Sequence, residues 1–231
     1  MSNSQIKYSL IIPCYNEGKS LLTLVDSINS IVFREDIEFI LVDNGSTDNT
    51  NELLKRFSNK NIIKVRLLDN AGYGGGIKAG LVKARGEFLG WIHADLQYSL
   101  TEVISNLNKI PLDAKYIKGK RRGRNIFQNF ISINMSLVES FLFKHVLYDI
   151  NAQPTIFHRD LYWNFINLPN DFSIDLYSYV IAKKTGAKIS RFEVNFLKRR
   201  YGQSSWNTGF RSLITMSLRT LKYSIELRRS F

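Results

Sequence analysis

Apolar positions along the chain fall into short strand-like runs separated by stretches with helical spacing. Tyr8 to Ile12, closed by Pro13, reads as a buried strand. From Glu17 to Ile31, the positions Leu21, Leu22, Leu24, Val25, Ile28 and Ile31 repeat with the period of a helix. Glu38 to Val42 predicts a second buried strand, and Ile62 to Leu68 and Phe88 to Ile92 predict a third and a fourth strand. Between and after them the pattern predicts a helix capped by Thr47 or Asp48 and running through Phe57, a helix near Ile77 to Ala84 behind a glycine-rich turn, and a helix from Leu100 to Lys109. Strands alternating with helices in this way imply an α/β domain with a mostly parallel sheet. Such sheets bind ligands beyond the carboxyl ends of their strands. That rule gathers Pro13-Tyr15-Glu17, Asp43-Asn44 and His93-Asp95-Gln97 on one rim from three separate strands.

Beyond Pro111 the rhythm weakens. A basic stretch, Lys115 to Arg124, precedes a long apolar helix candidate, Ile126 to Leu147, and a turn at Asn151 to Pro154. A helix near Leu176 to Lys184, a strand at Ile189 to Phe196 and a loop at Lys198 to Gly202 follow. The tail places Phe210, Leu213, Ile214, Leu218, Leu221 and Ile225 on one helical face, with Arg211, Arg219, Lys222, Arg228 and Arg229 mostly off it. A basic amphipathic helix of this kind suits a membrane interface, or packing on the domain or in a homo-oligomer.

Charge sharpens this division. The net charge of the 231 residues is +12. Residues 1–110 carry 12 Lys/Arg and 12 Asp/Glu, whereas residues 111–231 carry 20 and 8, so the whole excess lies in the second half. A neutral fold-building half is joined to one that meets something anionic. Its densest cluster is Lys118, Lys120, Arg121, Arg122 and Arg124, which could equally be a solvated loop. One cysteine, Cys14, excludes an internal disulfide and an all-cysteine metal site. No secretory leader is visible and no run of about 18 apolar residues occurs, so a cytoplasmic setting without a membrane-spanning helix is expected. A nucleic-acid-binding role is permitted by the charge and by 13% aromatic residues, but the neutral first half and the absence of a recognition motif weigh against it.

Three motifs carry candidate chemistry. Gly74-Gly75-Gly76-Ile77-Lys78-Ala79 follows the third strand, the wrong place for a dinucleotide fingerprint, and reads as a tight turn or a close backbone approach. On an extended segment His93, Asp95 and Gln97 would point the same way and could face one Mg²⁺ or Mn²⁺, the imidazole favouring Mn²⁺; alternatively Asp95 is a cap. Asp43 to Asp48 offers donors and acceptors for a base or ribose, or a helix cap.

Pro13-Cys14-Tyr15-Asn16-Glu17, Val42-Asp43-Asn44-Gly45-Ser46-Thr47-Asp48, Asn70-Ala71-Gly72-Tyr73-Gly74 and Ala94-Asp95-Leu96-Gln97 occur in that order. Together they resemble a family-2 glycosyltransferase of the GT-A fold, within it the dolichol-phosphate mannose synthase-like branch that glycosylates polyprenyl phosphates. The resemblance runs from Tyr8 to Trp206. It implies a nucleoside site at Pro13, Tyr15 and Glu17, base and ribose contacts at Val42, Asp43 and Asn44, donor contact by Gly72, and a divalent ion and diphosphate at Ala94, Asp95 and Gln97. His93 stands where relatives carry the first Asp of this last motif, and Asn44 where many carry a second Asp. Gly119-Lys120-Arg121 matches a donor-facing G-x-R segment, and Arg199 to Ser204 a late R-x-x-G-x-S segment; Ser205-Trp206 replaces the usual Lys, leaving Arg200 as a candidate cation.

The resemblance implies an inverting transfer from a UDP- or GDP-linked sugar. Arg121, Arg199 and the metal would neutralise the departing diphosphate. Asp175, with Asp171 second, would be the base for a hydroxyl acceptor of a surface glycan; a polyprenyl phosphate needs none. Gln153 is expected to line the acceptor pocket, while His145 and His158 read as ordinary helix or core-edge residues. The expected organisation is a catalytic domain over 1–206, with a nucleotide-binding half (1–110) and an acceptor half (111–206), then the tail helix (207–231). The expected location is peripheral, on the anionic cytoplasmic face of a membrane. A catalytically inactive relative is the reading that His93 keeps open.

Overall fold

A computed structural model describes residues 5–31, 34–124, 126–199 and 210–229. The strands are β1 (Tyr8–Cys14), β2 (Ile37–Asn44), β3 (Ile62–Leu67), β4 (Phe88–Trp91), β5 (Tyr116–Arg122), β6 (Thr155–His158) and β7 (Ile189–Asn195). The helices are α1 (Gly18–Asn29), α2 (Thr50–Arg56), α3 (Tyr73–Leu81), α4 (Leu100–Leu107), α5 (Ile126–Phe143), α6 (Ser173–Lys184) and α7 (Phe210–Arg229), with a short 3-10 helix at Arg159–Asn164. The seven strands form one sheet in the order β3-β2-β1-β4-β6-β5-β7. Only β6 runs against its neighbours.

Period-two alternation splits the core between the two faces. Leu10, Ile12, Phe39 and Leu41 pack with Leu21, Val25 and Val103 from α1 and α4. Ile11, Ile40 and Val42 pack with Ile77, Leu81 and the α6 residues Leu176 and Val180 on the other face. The parallel register pairs Cys14 with Asp43 and Ile11 with Trp91, so β1, β2 and β4 end on one rim. Because β6 is antiparallel to both β4 and β5, the carboxyl end of β5 and the start of β6 reach that same rim.

Two strands contradict the looser reading of the second half. The basic stretch forms β5, paired in parallel with β7, and the residues after the Asn151–Pro154 turn form β6. The glycines at 74–76 lie inside α3 rather than in a turn before it. A Cβ on Gly74 would stand 2.2 Å from the Pro169 carbonyl oxygen, so Gly74 admits the 169–171 backbone, while Gly76 admits the Asn44 side chain. The tail helix packs on the domain, burying Ser224 and Leu227.

Candidate active site

The rim is built by two loops stitched together. Asn16, at φ 55°, accepts through Oδ1 the N–H of Thr47 at 2.8 Å, while Glu17 N–H donates to Thr50 Oγ1 at 2.9 Å. The loop after β1 thereby clasps the loop after β2, which fixes Pro13, Tyr15 and Glu17 beside Asp43. Tyr15 is exposed, and Val42 is buried in the core beneath the rim. Arg199 donates through Nη2 to Glu17 Oε1 at 3.2 Å, closing a contact across almost the whole chain. Burial raises the Glu17 carboxyl above its ordinary range, and the Ser20 hydroxyl and Arg199 oppose that rise.

Asp43 and Asn44 divide their work. Asp43 Oδ1 accepts the Ser46 N–H at 3.0 Å, but its buried Oδ2 has no hydrogen-bond partner. Arg66 Nε lies 3.9 Å from that oxygen, a long ion pair that makes no hydrogen bond; a buried carboxylate oxygen without a hydrogen bond is costly, and a ligand donor would relieve it. Asn44 is committed elsewhere: its amide donates to the Gly72 carbonyl at 2.9 Å and its Oδ1 accepts the Ala71 N–H at 3.1 Å. It pins the 70–72 loop through both ends of its amide. Gly72, at φ 80°, opens α3, where a Cβ would meet the Asn170 carbonyl oxygen at 2.4 Å.

The 93–97 segment also departs from expectation. Leu96 has φ 58°, so the chain bends and His93, Asp95 and Gln97 do not alternate as on a strand. His93 Nε2 lies 3.1 Å from the Tyr73 hydroxyl, and its ring stacks with Tyr73 and Phe172. Burial lowers the His93 pKa, favouring the neutral ring. Gln97 turns its amide to the Leu197 carbonyl at 3.3 Å. Ala94 is buried beneath the bend. Asp95 accepts the Gln97 N–H at 3.1 Å and forms no ion pair among the described residues. No group of three or more His, Cys, Asp or Glu side chains that could hold a metal occurs among the described residues. One uncompensated carboxylate at the rim still fits a hard cation held chiefly by phosphate oxygens and water.

Asp175 is not an open base. It is 1% exposed and ion-paired with the fully buried Lys118 at 3.2 Å. Its carboxylate also accepts Thr155 Oγ1–H at 2.8 Å, Trp91 Nε1–H at 3.2 Å and the Gln153 amide at 3.3 Å. Gln153 lies buried rather than lining an open pocket, and it bridges Asp175 to the Tyr73 hydroxyl at 3.3 Å. A polar chain therefore runs from Lys118 and Asp175 through Gln153 and Tyr73 to His93. Burial pushes the Lys118 ammonium down to about 8, against the pull of Asp175. Asp171 instead accepts the Ser173 N–H at the start of α6, at 2.9 Å.

Arg121 reaches the rim from β5, as its register dictates, but its guanidinium is held by Asp149. Arg121 Nε donates to Asp149 Oδ1 at 2.7 Å and Arg121 N–H to Oδ2 at 2.8 Å. Burial raises the Asp149 carboxyl, and the charge and hydrogen bonds of Arg121 more than reverse this, leaving it low. Asp149 and Lys118 were not among the expected site residues, because their partners lie far along the chain. Arg200 to Trp206, with the rest of the R-x-x-G-x-S segment, lie outside the described residues.

The carboxyl rim of this α/β sheet carries Glu17, Asp43 and Asp95 together with Arg199 and Arg121. Residues 9–164 match the family described as Glycosyl transferase family 2, more than half of the chain, and the chain belongs to that family. Its fold is GT-A: it resembles glucosyl-3-phosphoglycerate synthase from Mycobacterium tuberculosis, solved with Mn²⁺, UDP and glucosyl-3-phosphoglycerate, with a TM-score of 0.72 and 18% identity over 96% of this chain and 79% of that one. A mannosyltransferase from Pyrobaculum calidifontis, solved with GDP-mannose and Mn²⁺, gives a TM-score of 0.64 and 19% identity over 85% of this chain and 58% of that one. Among curated relatives, the minor teichoic acid biosynthesis protein GgaA of Bacillus subtilis is 36% identical over 40% of this chain and 22% of its own length. The undecaprenyl-phosphate 4-deoxy-4-formamido-L-arabinose transferase of Yersinia pestis is 37% identical over 42% of this chain and 31% of its own length. The chain thus spans under a third of either relative.

Proposed function

We propose that this chain transfers a sugar from a nucleoside-diphosphate sugar to a polyprenyl phosphate at a membrane surface. Residues 1–110 form the donor half, 111–206 the acceptor half and 207–231 the tail. Asp43 Oδ2, buried and without a hydrogen bond beside Arg66, would accept a donor group of the base or ribose. Asp95, with Gln97 contributing at the bend, would hold Mg²⁺ or Mn²⁺ together with the diphosphate. When bound, that cation offsets the charge of the leaving diphosphate. Arg199, oriented by Glu17, adds positive charge on the same rim. An acceptor phosphate oxygen forms the new bond to the anomeric carbon as the bond to the diphosphate oxygen breaks, and the nucleoside diphosphate leaves with that electron pair.

One observation favours a phosphate acceptor: Asp175, the carboxylate best placed in sequence to act as a base, is buried and spent on four protein donors. An acceptor that is already anionic needs no base. Incubation with labelled UDP- and GDP-sugars, Mn²⁺ and undecaprenyl phosphate should give a lipid-extractable labelled product. The second reading, transfer to a glycan hydroxyl, is motivated by the similarity to the teichoic acid protein. Product only with a hydroxyl glycan would replace the first reading by the second, and no product with either acceptor would overturn both.

A further inference from the structure

The unbonded oxygen of Asp43 faces a cation that belongs to no motif. Strands β2 and β3 pair in parallel with Asp43 opposite Arg66, and Cys14 of β1 lies opposite Asp43 in turn, so the three side chains share one face of the sheet at its carboxyl rim. Asp43 is 2% exposed, yet its Oδ2 accepts no hydrogen bond. Arg66 is half exposed on the edge strand, and its Nε stops 3.9 Å from that oxygen, too far for a hydrogen bond. Among the described residues its guanidinium makes this one ion pair and no hydrogen bond. Lys64, its neighbour on the same face, turns away to the Phe57 carbonyl at 2.9 Å. The loop after β2 is fixed against the end of β3: Gly45, at φ 71°, rests on the 69–70 backbone, where a Cβ would stand 2.4 Å from the Asp69 carbonyl carbon. Asp43 Oδ1 holds the Ser46 N–H. The rim thus offers one buried acceptor beside one set of open donors, with the second carboxylate oxygen already engaged.

We infer that Arg66 selects the base of the nucleotide: its guanidinium donates to a carbonyl oxygen of uracil while Asp43 Oδ2 accepts the adjacent ring N–H. The ring N–H of uracil is flanked on both sides by carbonyl groups. A carboxylate oxygen and a neighbouring arginine therefore complement it whichever carbonyl faces Arg66. Guanine meets the same pair badly. Its ring N–H lies between one carbonyl and an amino group. That amino group either needs the second carboxylate oxygen, which is turned to the Ser46 N–H, or points at Arg66, donor against donor. A site that leaves a polar group of one ligand unpaired discriminates against it. The inference rests on the nucleotide-sugar reading above and narrows its donor to a UDP-linked sugar. Strand register, set by the fold, is what brings Arg66 to Asp43.

Calorimetric titration of the full chain with UDP and with GDP, in buffer containing Mn²⁺ and without acceptor, tests this. The wild type should bind UDP at least about tenfold more tightly than GDP. Arg66→Met should lose about tenfold in UDP affinity and hold its GDP affinity within about twofold. Arg66→Lys keeps a charge beside the buried Asp43, so it should melt like wild type, but it lacks the planar fork and should lose at least about threefold of the UDP-over-GDP ratio. A wild type that binds GDP as tightly as UDP overturns the inference. So does an Arg66→Met or Arg66→Lys variant that keeps the wild-type ratio, including through an equal loss for both nucleotides, the mark of a charge acting on the phosphates. A lipid-linked product made from a GDP-sugar and not from a UDP-sugar overturns the Arg66 assignment and leaves the transferase reading standing. An Arg66-dependent preference for UDP in a protein that makes no glycosyl product does the reverse.

Discussion

Asp175→Asn separates a buried structural carboxylate from a substrate-facing base, because the two predict different stability changes. The wild-type carboxylate balances the Lys118 ammonium at 3.2 Å and accepts three further donors at 2.8 to 3.3 Å. Asparagine retains one acceptor oxygen but no charge, so Lys118 is left as an uncompensated cation at 0% exposure. Breaking such a pair costs about 3–5 kcal/mol, and at about 2–4 °C per kcal/mol for a chain of this size the melting temperature should fall on the order of 10 °C. Neutralising an exposed active-site carboxylate leaves stability unchanged or raises it. Lys118→Met/Asp175→Asn removes both charges and should cost less than the sum of the single changes. The lysine pKa, already down at about 8 against an unfolded value near 10.5, means that the folded state gives up its proton first. The cost of the charged lysine is therefore felt below that pKa and relieved as pH rises through 8 to 10.5. In Asp175→Asn the lysine pKa falls further, so the deficit should shrink at lower pH than in wild type. Urea denaturation followed by circular dichroism across this range measures it. A loss below about 1 kcal/mol, or additive single changes, would refute the reasoning.

Glu139, raised to about 7 by burial, should make the wild type lose stability as pH rises through the window between the ordinary glutamate value and 7, since the folded state there holds the extra proton. Glu139→Gln should remove that pH dependence and stabilise the protein at pH above that window by about 1–3 kcal/mol, measured by denaturant titration at two pH values. Gly74→Ala forces a Cβ against backbone at 2.2 Å from Pro169 O and should destabilise by about 2 kcal/mol or more in thermal melts. Asp43→Asn should weaken the melting-temperature response to the preferred nucleoside diphosphate by about tenfold in apparent affinity, and an unchanged titration would remove Asp43 from the nucleotide site.

The strongest sequence signals were local. The strands β1, β2 and β4 announced themselves because both faces of the sheet are covered there, which demands continuous apolar runs, whereas the edge strand β3 alternates, with Lys64 and Arg66 exposed. Their carboxyl ends could then be gathered on one rim by topology alone, and the Glu17, Asp43 and Asp95 positions followed. β5 was hidden because Lys118, Lys120 and Arg121 make it look like a charged loop; its inward lysine is tolerable only beside Asp175, 57 residues later. The roles of Asn44, His93 and Gln97 were likewise undecidable from spacing, since each side chain is claimed by a partner the fold supplies: the 70–72 loop, Tyr73 and the Leu197 carbonyl.

Periodicity and motif order by themselves determined the α/β class, the family and the side of the sheet on which the chemistry sits, because those depend on covalent neighbours and on how strands must be covered. Tertiary structure alone decided which polar groups remain open to a ligand and which are consumed inside. Those outcomes depend on the burial and pairing of residues distant in the chain, and the cost of an unpaired buried charge is what makes the pairings binding.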